Sequence, residues 1–256
     1  ILSNTITNFA FGFISNIWIY VINRSSFSYT WLIKLLKFGV PSMFAILILT
    51  SFDMIDRLFL NHYLGLKQLG IYSIGKKIVF IVSIMLTGPF MSLWTPYSYK
   101  IANEDNHKKT ISNLLPKIVF LFSFFSLSIS YFAPFIIMIV ATSEYYQASE
   151  VIIWLAMCQT SFAISTVFTT GINISNKPKL GMYINLVVLF FGLIANYIFI
   201  PIYGFVGASI STFFTFAFQA ILIFISAQKL YKIPYNPLKI IVPILATFLF
   251  YNIGLW

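Results

Sequence analysis

Eight runs of apolar residues follow one another along the 256-residue chain, separated by short polar connections. A helix needs roughly 20 apolar residues to cross a bilayer, and most of these runs approach or exceed that length. They are continuous stretches of Phe, Ile, Leu and Val, without the two-residue alternation that is typical of transmembrane β-strands. We therefore predict an all-α, polytopic transmembrane helical bundle with about eight spans. The runs, named A to H, cover residues 6–22 (A), 39–60 (B), 74–97 (C), 116–140 (D), 150–173 (E), 180–200 (F), 204–226 (G) and 239–256 (H).

The composition supports a membrane protein and argues against soluble classes. Hydrophobic residues make up 59% of the chain and charged residues 9%, whereas soluble domains have about 25% charged residues. This composition excludes an ordinary soluble enzyme and a disordered segment. The formal net charge of +10 could indicate nucleic-acid binding, but the basic residues lie between the apolar runs, as membrane topology requires. We expect membrane lipids around the chain and no nucleic-acid partner.

The basic residues are distributed unevenly among the connections. Twelve of the 16 Lys and Arg residues lie in the A/B, C/D, E/F and G/H connections, and none lies in D/E or F/G. Because cytoplasmic loops are enriched in Lys and Arg, these four connections are predicted to be cytoplasmic and residue 1 to be outside. The other four basic residues contradict this pattern, because they surround the outward-facing B/C connection; they are Arg57, Lys67, Lys76 and Lys77.

Span B contains three charged residues, Asp53, Asp56 and Arg57. Asp53 and Arg57 are four residues apart, so on a helix they share a face and can pair. A charge at the bilayer centre costs roughly 2.5–3.5 kcal/mol on insertion scales, so such groups face a cavity or each other. Two interpretations are open: a structural ion pair near the outer end of span B, and a functional site that includes Lys76 and Lys77.

Other chemical motifs find little support. Residues 70–76 have the spacing of a phosphate-binding P-loop, but Lys77 stands where the loop needs Ser or Thr, and no β-strand precedes it. His62 and His107 are far apart and have no ligand partners nearby, and Cys158 is the only cysteine. We therefore predict no metal site, no cofactor and no catalytic residue, so the chain is not expected to be an enzyme.

Small residues and proline predict two local features of the helices. Proline removes a helical hydrogen bond, so Gly88-Pro89 in span C predicts a kink near Pro89. Gly204, Gly207 and neighbouring small residues at the start of span G predict a close approach between helices.

Several short segments, taken in order, carry a family resemblance. They are similar in sequence and spacing to the bacterial polysaccharide flippases, which move O-antigen and capsule repeat units. Those flippases belong to the multidrug/oligosaccharidyl-lipid/polysaccharide exporter superfamily. The segments are Phe38-Gly39-Val40-Pro41, Asp56-Arg57-Leu58-Phe59-Leu60, Leu69-Gly70-Ile71-Tyr72-Ser73 with Lys76-Lys77, Trp94-Thr95-Pro96, Glu144-Tyr145-Tyr146-Gln147-Ala148, and the stretch 196–209.

The resemblance implies the second lobe of a two-lobe MATE-like transporter. On that pattern, residues 1–22 form the last helix of the first lobe and residues 23–38 a cytoplasmic interfacial segment. Residues 39–226 form the six-helix C-terminal lobe, and residues 227–256 a loop and an additional transmembrane helix. Because most of the first lobe is missing and the sequence starts without Met, we expect a piece of a longer protein.

The resemblance also implies a function. The expected transporter moves undecaprenyl-diphosphate-linked oligosaccharide across the bacterial cytoplasmic membrane by alternating access, for O-antigen or capsule assembly. Its partners would be that lipid-linked substrate, membrane lipids and other polysaccharide assembly proteins. The implied substrate-binding residues are Arg57, Lys76 and Lys77, with Asp53 and Asp56 as charge partners or ion-coupling groups.

Two alternatives stay open at this point. A related multidrug or cation exporter would need surplus acidic residues in its cavity; Asp53 and Asp56 favour it, whereas Lys76 and Lys77 argue against it. A membrane polysaccharide polymerase would be expected to carry a large outward loop, but every outward loop predicted here is short.

Overall fold

A computed structural model describes residues 11–13, 15, 28–102, 104, 106–175 and 177–253, and nearly all of them are helical. No β-strand occurs within these ranges, so the predicted all-α class is confirmed for the described chain. The elements are α1 (Tyr29–Val82), a π-helical turn (Ser83–Thr87), α2 (Gly88–Ile101), α3 (His107–Val140), a 3₁₀ turn (Ser143–Ala148), α4 (Ser149–Ile174), α5 (Pro178–Leu230) and α6 (Pro237–Ile253).

Four helical stretches are long and apolar enough to cross a membrane. They are Tyr29–Ile101, His107–Val140, Ser143–Ile174 and Lys179–Leu230, and a shorter apolar helix follows at Pro237–Ile253. The first stretch has 73 residues and the last of the four has 52, well beyond the roughly 20 residues of one crossing. Each of these two contains a chain reversal, as the next two paragraphs describe.

Helix α1 reverses direction at Gly65. The backbone there has φ 75° and ψ 179°, a conformation that favours glycine. The Tyr72 hydroxyl donates to Asp56 Oδ2 at 2.9 Å, although the two residues are 16 positions apart. On an uninterrupted helix they would be separated by about 24 Å. Helix α1 therefore contains a helical hairpin, in which residues 41–64 form the first arm and residues 66–82 the second.

Helix α5 reverses in the same way at Gly204, where φ is 61° and ψ is −141°. The rings of Phe191 and Phe218 stack with their centroids 4.4 Å apart. The amide of Gln219 donates to Asn185 Oδ1 at 2.9 Å across the same interface. Contacts between residues so distant in sequence require two antiparallel arms, 178–203 and 205–230.

Runs B to H each correspond to a helix or an arm. B and C lie in the two halves of the α1 hairpin, with C continuing through the π-helical turn into α2, and D and E are α3 and α4. F and G are the arms of α5, and H is α6. Run A falls outside the described residues, apart from 11–13 and 15. The helices continue beyond the predicted ends of B and C, because the polar stretch 61–73 is itself helical up to Gly65 and after it.

The chain divides into two compact units, residues 1–40 and 41–256. In the first unit the helix begins at Tyr29, and the side chains of Trp31 and Leu35 are exposed. The Lys34 ammonium lies 5.0 Å from the centre of the Trp31 ring. The first residues of the predicted interfacial segment, 23–27, lie outside the described residues, and the location of 28–38 at a membrane surface stays a prediction.

Helix α4 forms the centre of the second unit. Most of its side chains are buried, and it packs against both α3 and α5, while α3 also packs against α6. Two polar contacts add to this packing: Trp94 Nε1 donates to Thr170 Oγ1 at 3.1 Å, and Ser126 Oγ donates to the Ala156 carbonyl at 2.9 Å. In a membrane, close packing and such hydrogen bonds hold helices together.

The kink expected near Pro89 stays a prediction, but the structure shows a change of helix type just before it. The α-helix gives way to the π-helical turn at Ser83–Thr87, and Pro89 follows in the first turn of α2, where its missing N–H costs little. This turn lies beside α4, close to the cavity described below.

Candidate functional site

The carboxylate of Asp56 lies where the two hairpins meet, and the residue is 3% exposed. Tyr72, on the second arm of α1, donates to Oδ2 at 2.9 Å. From α5, Asn196 Nδ2 donates to Oδ1 at 3.0 Å, and Thr212 Oγ1 lies 3.0 Å from Oδ2. Asp56 therefore connects the α1 hairpin to both arms of the α5 hairpin.

The two glycine reversals explain how these residues meet. Asn196 and Thr212 lie eight positions before and after Gly204, so folding the hairpin brings them to one level. Asp56 and Tyr72 lie nine positions before and seven after Gly65 in the same manner. The site thus follows from where each hairpin turns.

Lys76 pairs with two carboxylates. Its Nζ lies 2.6 Å from Asp53 Oδ1 and 3.4 Å from Asp56 Oδ2. The pair between Asp53 and Arg57 that their spacing allows does not form, because no ion pair joins these two described residues. An exposed i,i+4 pair contributes only ~0.3–0.5 kcal/mol, so a lysine held between two carboxylates on the facing arm competes successfully for Asp53.

A cavity of about 400 Å³ opens beside this cluster. Its wall comes from both arms of α1, from the π-helical turn, from α4 and from the second arm of α5. Arg57 and Lys77 line it and are exposed, and within the described chain neither has an ion-pair partner. The lining residues are Asp53, Arg57, Ser73, Lys76, Lys77, Val79, Phe80, Ser83, Leu155, Cys158, Gln159, Thr212 and Phe216.

The cationic residues lie well below the reversal of α1. At about 1.5 Å per residue, Arg57 is about 12 Å from Gly65 along the first arm, and Lys76 and Lys77 are about 16–18 Å from it along the second. The sequence placed them near the outer ends of spans B and C. The helical arms continue past those predicted ends through residues 61–73, and the position of the cations relative to the membrane surface stays a prediction.

Sequence reasoning left out several residues of the site. Tyr72 precedes Lys76 by four positions, so it shares a helical face with a recognised candidate and could have been found. Asn196 is an intramembrane amide, for which the sequence favours a hydrogen bond between helices over a ligand contact. Thr212 had no signal of its own, and neither did Gln159, which accepts from Thr87 Oγ1 at 3.3 Å and so joins α4 to the π-helical turn.

The structure bears on two kinds of site that the sequence raised, a phosphate-binding P-loop and a metal site. The P-loop-like stretch 70–76 is entirely helical and forms no loop around a phosphate. Gly75 instead allows close packing, because a Cβ there would lie 2.3 Å from Val151 Cγ2. The described residues include no group of three or more His, Cys, Asp or Glu side chains that could hold a metal ion.

Comparison with known proteins identifies the family. A family model described as MatE matches residues 41–198, which extend from α1 through α4 into the first arm of α5. No curated protein and no solved structure matches the chain. MatE proteins are membrane transporters and not enzymes, in agreement with a multi-pass helical chain. Because the match covers more than half of its length, the chain belongs to the MatE family.

Proposed function

We propose that the chain forms part of a flippase that carries undecaprenyl-diphosphate-linked oligosaccharide across the bacterial cytoplasmic membrane, for O-antigen or capsule assembly. The observation that carries the proposal is the pair of exposed cations, Arg57 and Lys77, on the wall of the cavity. Neither is neutralised by a carboxylate within the described chain. The cavity thus offers positive charge to a ligand.

The charge count favours an anionic ligand. The site contains three cations, Arg57, Lys76 and Lys77, and two carboxylates, Asp53 and Asp56, so one positive charge is in excess. A lipid diphosphate brings about two negative charges. The planar guanidinium of Arg57 can hold a phosphate through two parallel hydrogen bonds, and the Lys77 ammonium can add a point charge.

The position of the cations within a membrane-spanning segment supports a functional role for them. They lie about 12–18 Å from the turn at Gly65, in a helical stretch that is long and apolar enough to cross a membrane. An unpaired charge inside such a segment is expensive and is a functional candidate by default. Snorkelling of Lys77 to the outer headgroups is the structural alternative, and it predicts near-normal export from the alanine variants described below.

The experiment is polysaccharide export by the complete gene product in a cell that lacks its own flippase. Arg57→Ala and Lys76→Ala should each reduce export by roughly tenfold or more at normal membrane abundance, because each removes a charge from the site. Arg57→Lys should keep partial activity, since it keeps the charge but loses the planar donor pair. Lys67→Ala is the matched control, because Lys67 lies near the turn at Gly65 and does not line the cavity.

Normal export by both Arg57→Ala and Lys76→Ala would contradict the anion site. A second function, export of cationic drugs, is favoured by one observation: the side chain of Asp53 is 68% exposed at the same cavity. For such an exporter, Asp53→Asn should abolish resistance to cationic drugs, and Arg57→Ala should leave that resistance intact.

A further inference from the structure

The three cations of the cavity are in two different electrostatic situations. The ammonium of Lys76 lies between Asp53 and Asp56, and its side chain is only 21% exposed. Arg57 and Lys77 are exposed, and no described carboxylate lies within ion-pair distance of either. These surroundings argue against an equal contribution of all three cations to ligand binding.

Asp56 depends on Lys76 for its charge balance. Tyr72, Asn196 and Thr212 surround the carboxylate of Asp56 with neutral hydrogen-bonding groups, but they bring no positive charge. Within the described chain, Lys76 is the one cation at ion-pair distance from Asp56. A buried charge that loses its partner is strongly destabilising. Without Lys76, Asp53 would also add a second negative charge one helical turn away.

We infer that Lys76 is a positioning residue that acts through Asp53 and Asp56, whereas Arg57 and Lys77 supply the charges that bind the diphosphate. This inference rests on the proposed function, because it divides the cations of that anion site between two roles. Lys76 neutralises negative charge that would otherwise face the ligand, and it holds the second arm of α1 against the first. Arg57 and Lys77 together match the two negative charges of a diphosphate diester.

A charge-balanced double variant separates two roles that Lys76 could have: neutralising the buried charge of Asp56, and binding the diphosphate directly. Lys76→Met removes the ammonium and keeps a long side chain, which leaves Asp56 buried without a counter-charge. Adding Asp56→Asn removes that buried charge and restores the net charge of the cluster. The new amide oxygen can still accept from Asn196, and the hydroxyls of Tyr72 and Thr212 can accept from its N–H groups.

We expect Lys76→Met to reduce export by roughly tenfold or more, and the double variant to recover to within about threefold of the unchanged transporter. Lys67→Met is the matched control and should export normally. If Lys76→Met fails to accumulate, recovered abundance in the double variant supports the inference equally. A double variant that stays as inactive, or as scarce, as Lys76→Met would overturn the inference, as would normal export by Lys76→Met alone.

Binding of farnesyl diphosphate to the purified transporter gives a second readout. The double variant should recover binding, whereas Arg57→Ala and Lys77→Ala should each weaken it by roughly tenfold. If these two alanine variants bind and export normally while the double variant recovers, the diphosphate proposal fails and the positioning role of Lys76 stands. If they lose binding and the double variant does not recover, the positioning role fails and the diphosphate proposal stands.

Discussion

Gly207 lies where the second arm of α5 passes close to the backbone of the first. A Cβ built at Gly207 would be 2.1 Å from the carbonyl oxygen of Phe199, so Gly207→Ala must push the two arms apart. Such overpacking typically costs ~1–3 kcal/mol. We expect Gly207→Ala to lower the melting temperature of the detergent-purified protein, measured by scanning fluorimetry, and to lower its abundance.

Gly181 provides the matched control on the same helix. Apart from its own stretch of helix, a Cβ there would meet nothing within 4 Å, and the residue lies in the helical part of α5. Because alanine is a better helix former than glycine, Gly181→Ala should leave the melting temperature unchanged or raise it slightly. Equal stability of the two alanine variants would mean that the arms do not approach at Gly207 as described.

The charged residues of the site show how far sequence spacing alone can predict ion-pair partners. Asp53 and Arg57 have the right spacing for a pair, yet Lys76 from the facing arm occupies Asp53. The i,i+4 rule considers one helix only, so it cannot include a competing cation from a second helix. The charged residues were therefore identified from the sequence, and their partners were not.

At the scale of elements, the helices were predictable and the reversals were less so. Apolar runs mark B to H because a membrane helix must be apolar. They do not mark the helical ends, because residues 61–73 are polar enough to leave the apolar pattern and still continue the helix. Gly65 and Gly204 were visible as glycines, but only their positive φ angles show that the chain turns there.

A cysteine cross-link tests the reversal of α5. Positions 185 and 219 face each other across the hairpin, since the Gln219 amide donates to Asn185 at 2.9 Å. On one straight helix they would be about 51 Å apart. With Cys158 replaced by Ala, Asn185→Cys and Gln219→Cys should be joined by a short bis-thiosulfonate reagent in native membranes. A protease site inserted between Ile202 and Tyr203, both exposed, reveals the link because the two fragments stay together.

Tyr183→Cys combined with Gln219→Cys is the control pair for this experiment. Tyr183 is 58% exposed and lies on the same arm as Asn185. Its cysteine should cross-link far less than the one at position 185. Separation of the fragments after treatment of the 185/219 pair would argue against the hairpin.

At the scale of the whole molecule, the cavity could not be derived from any one segment. Its wall combines residues from both arms of α1, the π-helical turn, α4 and the second arm of α5. Sequence analysis identified the basic side chains because they violate the charge rule for outward connections. It could not identify Gln159 or Thr212, since an uncharged polar residue in a membrane helix more often serves helix packing.

Labelling from one side of the membrane tests the orientation of the chain. Asn106 and Gln147 flank α3, whose 34 residues extend over about 51 Å, so the structure separates them by more than a bilayer core. Lys108 and Lys109 follow Asn106, whereas Glu144 and Glu150 surround Gln147. By the positive-inside rule, Asn106 is expected to face the cytoplasm.

In a Cys158→Ala background, Gln147→Cys should react with a membrane-impermeant maleimide on intact spheroplasts, and Asn106→Cys should react only after permeabilisation. Both positions are exposed, so a lack of reaction reflects the barrier and not burial. The reverse pattern would invert the orientation and place the α1 turn at Gly65 on the cytoplasmic side. The unpaired Arg57 and Lys77 would then no longer break the charge rule for outward connections. Their role in binding an anion would then rest on the cavity alone.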